Sequence, residues 1–230
     1  LKKLFHYLGD TSLPYRTIMA DHCDFYIGDR RIPAAQTVIA EQVHSAHCHI
    51  CTPEDSGAGF GTHPQINGCD ALITNLPNQW LLIRTADCYP ILLYDADRQV
   101  VAAVHSGREG TRKNIVGTTV ATLHKIYKVH QEDLQVWLGP GICQEHYPVS
   151  SDVWQDFISS NLANGIKTDD ASAGYLDLRT AIVLQLLQAG CKTNSINISG
   201  ICTYESTRHF SFRRDGTHNR QINLIGMYDE

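Results

Sequence analysis

No stretch of this 230-residue chain approaches the roughly 20 apolar residues that a membrane helix requires. The opening, LKKLFHYLGD, has neither the long apolar core nor the small-residue cleavage site of a secretory signal. A cytoplasmic protein is therefore expected. There is also no basic block: 19 Lys and Arg against 24 Asp and Glu are scattered, leaving a net charge of −5. Without a stripe of cations to neutralise a phosphate backbone, nucleic acid is not an expected partner. Repeats, low-complexity tracts and charged tails are missing too, which excludes solenoid and linker architectures. The oligomeric state is left open.

Methionine is scarce, at two residues, whereas cysteine (eight) and histidine (twelve) are plentiful. A chain of this length does not need disulfide staples, and the cysteine spacings form no framework. Most of these cysteines are expected to be reduced, buried thiols. The CHIC pair, Cys48 and Cys51, lacks the second ligand pair of a zinc knuckle and the helix start of a redox motif. The histidine count points towards metal or acid–base chemistry without locating it.

The periodicity predicts one domain over 1–230. A strand is expected over Thr37–Ile50, then a long loop at 53–70. Apolar runs follow at Ala71–Thr74, Trp80–Thr85, Ile91–Asp95 and Gln99–His105. Helical spacing over Thr111–Tyr127 predicts a helix with Thr111 as its N-cap. A strand at Leu134–Leu138 precedes helices at Ser151–Leu162 and Asp177–Ala189, the latter stopped by Gly190. Strands close the chain at Ile196–Ser199, His209–Arg213 and Gln221–Ile225. Strands and helices do not alternate regularly, so the expected fold is α+β, a layered sandwich of mixed β-sheets flanked by helices.

Three segments carry chemistry. In RTADCYP (84–90) an apolar strand breaks at a polar corner holding Asp87 and Cys88, which Pro90 stiffens. Cys88 is either a buried small hydrophobe or a presented thiol. In AVHSGREGT (103–111) a strand ends at His105 and a glycine-containing turn opens a helix, aiming an imidazole and free N–H groups at one place. In EQVHSAHCHIC (41–51), a regular strand would turn His44 to one face and His47 and His49 to the other. His44, Cys88 and His105 from separate strand ends would make a three-ligand metal site with an open fourth position. LGPGI (138–142) places Gly141 at a strand exit. HFSFRRDG (209–216) offers Arg213 and Arg214, of which one could bind an oxyanion.

In order and spacing, QVH (42–44), DALIT (70–74), TADCYPILLYD (85–95), VAAVHSGREGT (101–111), LGPGI, CTYES (202–206) and FSFRRDG (210–216) resemble the YfiH-like, or laccase-domain, multicopper polyphenol oxidoreductase family. The resemblance runs from about Gln42 to Ile225. It implies zinc held by His44, Cys88 and His105, and phosphorolysis of purine nucleosides, with adenosine deamination in some members. Purine nucleoside and phosphate are then the expected partners, Asp87 the acid–base or orienting group, Arg214 the phosphate anchor, and Gly141 a substrate contact. Two of the chain's departures from the family's HAGWRGT matter: Arg108 stands in place of tryptophan and Glu109 in place of arginine. The second change reverses a charge beside the metal.

Three other readings remain. Two His and one Cys also suit copper in a phenol oxidase, although only Met19 and Met227 could supply an axial thioether. Cys88 and His105 could form a metal-independent hydrolase pair. A metal- or partner-binding protein without catalysis is the third.

Overall fold

A computed structural model describes residues 2–160 and 174–229 of the chain. Two mixed sheets stack face to face. The four-stranded sheet has the order β1 (Lys3–Leu8), β14 (Gln221–Tyr228), β7 (Trp80–Thr85), β4 (Thr37–Ile39). The six-stranded sheet has the order β13 (Ile196–Ile198), β10 (Gln135–Leu138), β8 (Tyr89–Asp95), β9 (Val100–Ser106), β6 (Ala71–Thr74), β5 (Cys48–Ile50). A small hairpin, β2 (Phe25–Ile27) with β3 (Arg30–Ile32), and a short ladder, β11 (Pro148–Val149) with β12 (Gly174–Tyr175), complete the strands described. This is the α+β layered sandwich expected from the sequence.

Strands with both faces covered read as continuous apolar runs, because alternate side chains enter different cores. On β8, Ile91 and Leu93 face the helices while Leu92 faces the other sheet. On β9, Val100, Ala102 and Val104 divide from Val101 and Ala103 in the same way. Between the sheets these residues meet Leu81 and Ile83 of β7 and Ile225 and Met227 of β14. The far face of the four-stranded sheet, with Trp80, Leu82, Ile222 and Leu224, is covered by Ile18 of α1 (Tyr15–Asp21), Phe25 and Ile32.

The helical layer consists mainly of α3 (Ile115–Tyr127) and α5 (Leu178–Gln188), with α4 (Ser151–Ser159) beside them. On α3, Ile115, Val116, Thr119, Val120 and Leu123 form the buried stripe. Its N-cap is Asn114, whose side chain accepts from Gly117 N at 3.0 Å. Thr111 instead lies inside a separate short helix, α2 (Arg108–Arg112), because the chain turns through a left-handed Asn114 before α3 begins. Asp177, expected as the first helical residue, is instead the N-cap of α5, and Gly190 (φ +97°) follows its end as expected. The expected helix from Ser151 is present to Ser159; its predicted end at Leu162 lies outside the described residues.

Two expected strands change. Thr37–Ile50 is β4 and β5 in different sheets, joined by a segment that turns at His44 (φ +59°). His209–Arg213 is a turn leading into a one-turn helix, α6 (Phe212–Asp215), which the Ser211 side chain opens by accepting from Arg214 N. β1, not foreseen, pairs antiparallel with β14 from Lys3↔Tyr228 to Leu8↔Asn223. The 53–70 loop is packed rather than loose: Ala58 is fully buried and Ile66 bridges to Ala40. Among the described residues no helix is long and apolar enough to cross a membrane.

Candidate active site

His44, Cys88 and His105 converge at one end of the sandwich. Their ligand atoms all lie within 4.8 Å of one another. Cys88 Sγ is 3.9 Å from His44 Nε2, and the two imidazoles meet edge to face with centroids 4.9 Å apart. Each ligand sits where a strand stops or the chain turns. His105 is the penultimate residue of β9, Cys88 lies in the corner between β7 and β8, and His44 occupies a left-handed turn. That turn removes the alternation argument, since His44 projects from no strand.

Asp70 organises two of the three. It is fully buried just before β6. One carboxylate oxygen is 2.8 Å from His105 Nδ1 and also accepts from His44 N at 3.1 Å. The other accepts from Val43 N, Ser45 N and the Ser45 hydroxyl. Its carbonyl accepts from His105 N at 2.7 Å. A carboxylate on Nδ1 fixes the tautomer and leaves Nε2 free to bind a metal. Burial pushes the Asp70 carboxyl up, but the His105 and Ser45 contacts outweigh it and hold the group at about 2. Local sequence assigns Asp70 of DALIT no role; an acid heading a wholly buried strand is the available signal.

Gly107 also has a structural task. A Cβ there would lie 2.6 Å from Cys88 Sγ and 3.0 Å from His44 Cδ2, so only glycine lets the ligands close up. Burial pushes the Cys88 thiol up, yet His105 and His44 beside it dominate and bring it to about 6. Burial likewise disfavours charge on His105, and Cys88 and Asp70 overcome this to raise it to about 9. A polarised thiolate and two imidazoles, with one imidazole backed by a carboxylate, suit a divalent metal of borderline softness. The residues present therefore fit a bound metal ion.

A cavity of about 860 Å³ is lined by these three residues together with Asp87, Arg84, Arg108, Arg213 and Arg220. Glu109, Gln42 and His218 contribute further polar groups, and Tyr15, Tyr147 and Phe212 contribute ring faces. Four arginines outnumber the two carboxylates, so the wall is cationic. Burial holds the Arg220 guanidinium below its ordinary value; Cys88 and Asp87 oppose this and Arg84 reinforces it. An anion entering here would relieve that strain. Glu109 does not make the wall negative, because it is shared between Arg112 (3.0 Å) and Arg108 (3.2 Å).

Other expected site residues are placed differently. Asp87 lines the cavity in a left-handed conformation (φ +85°), but both its oxygens are engaged, by the Thr203 hydroxyl and by Arg213 N, each at 2.7 Å. Neither oxygen is therefore without a protein partner. Arg214 does not line the cavity: its guanidinium donates to the carbonyls of Thr203, Tyr204, Ser206 and His209 and pairs with Asp215. Because this segment is a helical turn rather than a strand, Arg213 is the arginine presented, with its guanidinium 4.9 Å from the Tyr147 ring centroid. Gly141 is also away from the cavity wall. A Cβ there would strike the Tyr89 ring at 2.6 Å, so this glycine serves packing. Tyr147, Arg84 and Arg220 carried no signal in the sequence.

The chain is similar to known proteins over most of its length. Residues 24–228 match the family model described as multi-copper polyphenol oxidoreductase laccase. The chain is 32% identical to the purine nucleoside phosphorylase of Bacteroides thetaiotaomicron over 161 residues, 68% of this chain and 60% of that protein. It thus spans less than two thirds of that relative. It is 31% identical to the purine nucleoside phosphorylase YlmD of Bacillus subtilis over 198 residues, 83% of this chain and 70% of that one. Among solved structures, YlmD from Geobacillus stearothermophilus superposes with a TM-score of 0.81 at 26% identity, covering 100% of this chain and 92% of that one. The hypothetical protein YfiH of Bacillus licheniformis gives 0.78 at 29% identity, covering 84% and 74%.

Proposed function

The chain belongs to the multi-copper polyphenol oxidoreductase laccase family, and on that premise we propose that it is a zinc-dependent purine nucleoside phosphorylase. The observation that carries this reading is the convergence of His44, Cys88 and His105 in a cavity whose wall combines arginines with aromatic rings. Inosine or adenosine and phosphate are the proposed substrates. Phosphate oxygen bonds to C1′ of the ribose as the bond from C1′ to the purine nitrogen breaks, and that bond's electron pair leaves with the base.

Arg213 and Arg220 hold the phosphate dianion, and their charge offsets repulsion as it approaches the sugar. Tyr147 and Phe212 offer flat faces for the purine. Asp87 fixes the backbone of Arg213 through its 2.7 Å contact and so sets where the guanidinium lies. Orientation of this kind is worth several powers of ten in rate when two reactants must meet. His44, Cys88 and His105 would hold the metal, which supplies a Lewis acid and a means of activating water. The same site would account for hydrolytic removal of the C6 amino group of adenosine, with water entering and ammonia leaving.

Copper oxidation of phenols is less well supported. Met227 is fully buried between the sheets and Met19 packs beneath the four-stranded sheet, so neither provides an axial thioether at the site. The decisive assay follows hypoxanthine released from inosine with and without phosphate, beside zinc content, for wild type, Cys88→Ala and Arg213→Ala. Phosphate-dependent release, loss of zinc and turnover in Cys88→Ala, and a raised KM for phosphate in Arg213→Ala are expected. Turnover that ignores phosphate, or that survives complete removal of metal, would refute the proposal and favour a cysteine hydrolase.

A further inference from the structure

We propose that Cys143, His146, Cys202 and Glu205 form a second divalent-cation site, of the structural zinc type, that ties two loops together behind the cavity wall. It shares no residue with the cluster at His44. The four ligand atoms all lie within 4.8 Å of one another. Cys143 Sγ is 3.1 Å from His146 Nδ1, which is 3.5 Å from a Glu205 carboxylate oxygen. Cys202 Sγ accepts from the backbone N–H of Cys143 at 3.2 Å. Around a tetrahedral zinc, bonds of about 2.0–2.3 Å place neighbouring ligand atoms about 3.3–3.8 Å apart. Small side-chain adjustments therefore bring this set to coordination geometry.

The donors are of the right kind. Two thiolates, an imidazole and a carboxylate make a borderline-soft set that favours zinc over magnesium or calcium. Four protein ligands leave no open position, which is the mark of a structural rather than a catalytic ion. Both cysteines are buried and free, whereas Glu205 is exposed and opens the entry path. The His146 ring is already held, stacked on Tyr204 with centroids 4.4 Å apart.

The backbone prepares the site without the ion. Gly141 pairs with Cys202 in a parallel bridge, and Thr203 N donates to Gly141 O at 3.0 Å. The two loops so joined are those that carry Tyr147 to the cavity wall and Thr203 to the carboxylate of Asp87. The ion would hold both in place while touching neither substrate nor the first metal.

Metal content tests this without any measurement of turnover. Protein purified under reducing conditions is loaded with Zn²⁺, desalted and measured by elemental analysis as wild type, Cys88→Ala, His146→Ala and the double variant. His146 is a partly exposed surface residue, and retention of the first zinc together with an unchanged far-UV spectrum shows that its variant folds. About two equivalents are expected in wild type, about one in each single variant and none in the double variant. Loaded with Co²⁺, His146→Ala should lose about two thirds of the thiolate-to-cobalt absorption, because two of three metal–sulfur bonds belong to this site, and Cys88→Ala about one third. A single wild-type equivalent that persists in His146→Ala and vanishes in Cys88→Ala overturns the proposal. So does a Cys143–Cys202 disulfide in the reduced preparation.

Discussion

Replacing Asp70 by asparagine keeps the volume and removes one acceptor position, at the point where two of the proposed metal ligands, His44 and His105, are held together. If the amide nitrogen faces His105, it donates to Nδ1, and the imidazole then carries its proton on Nε2 and cannot bind a metal. If the amide oxygen faces His105, the nitrogen points at Val43 N and Ser45 N, which are donors at 3.2 and 2.6 Å. Either orientation leaves buried donors unmatched, at roughly 1–3 kcal/mol for such a group. The wild-type carboxyl is displaced from 3.8 to about 2, a linkage of about 2 kcal/mol at neutral pH. Loss of a carboxylate behind a metal-bound histidine lowers metal affinity by about 10–100-fold. Asp70→Asn is therefore expected to be less stable by about 2–4 kcal/mol on these grounds, with zinc binding weakened by one to two powers of ten. Urea unfolding and competition with a chromophoric chelator measure the two. The pH dependence has a definite sign. A depressed acid stabilises fully above its unfolded value near 4 and loses that contribution as pH falls towards 2, so the difference between variant and wild type should shrink over that window. A variant with wild-type zinc affinity and an unchanged unfolding midpoint would refute the reasoning.

Gly107→Ala is expected to lose the first metal while the sheets stay intact, because its methyl group would occupy the space of Cys88 Sγ; zinc content beside the far-UV spectrum checks this. In chelator-treated protein, the fraction of alkylation by iodoacetamide that is absent from Cys88→Ala should rise with pH through about 6 rather than 9, since only the thiolate reacts. Leu92→Ala, fully buried between the two sheets, should cost about 2–5 kcal/mol in urea without changing the number of bound metal ions.

What the sequence determined by itself was the layered core and the candidate residues that the fold brings together at His44, Cys88 and His105. The runs at Trp80–Thr85, Ile91–Asp95 and Gln99–His105 were legible as strands because alternate residues enter cores on both sides, which demands apolar side chains at nearly every position. Cys88 and His105 were legible because each stands where such a run breaks. The helices at 115 and 178 declared themselves through their spacing, although the cap at Asn114 did not. A left-handed asparagine three residues beyond the expected threonine depends on the short α2 that precedes it.

Tertiary structure alone decided which side chains share the cavity. His44 reaches the other ligands through a positive-φ turn, and that turn is held by Asp70, 26 residues away, a relation no local pattern encodes. The choice of Arg213 over Arg214 follows from a single helical turn capped by Ser211, where the local sequence read equally well as a strand. The carboxylate of Asp87 is engaged on both oxygens because Thr203 and Arg213, more than 100 residues later, meet it there. The Cys143 and Cys202 thiols, expected as unremarkable buried cysteines, meet because two distant loops bridge at Gly141. Periodicity records which face of an element is buried; which buried or turning residues meet is set by how the sheets and loops pack.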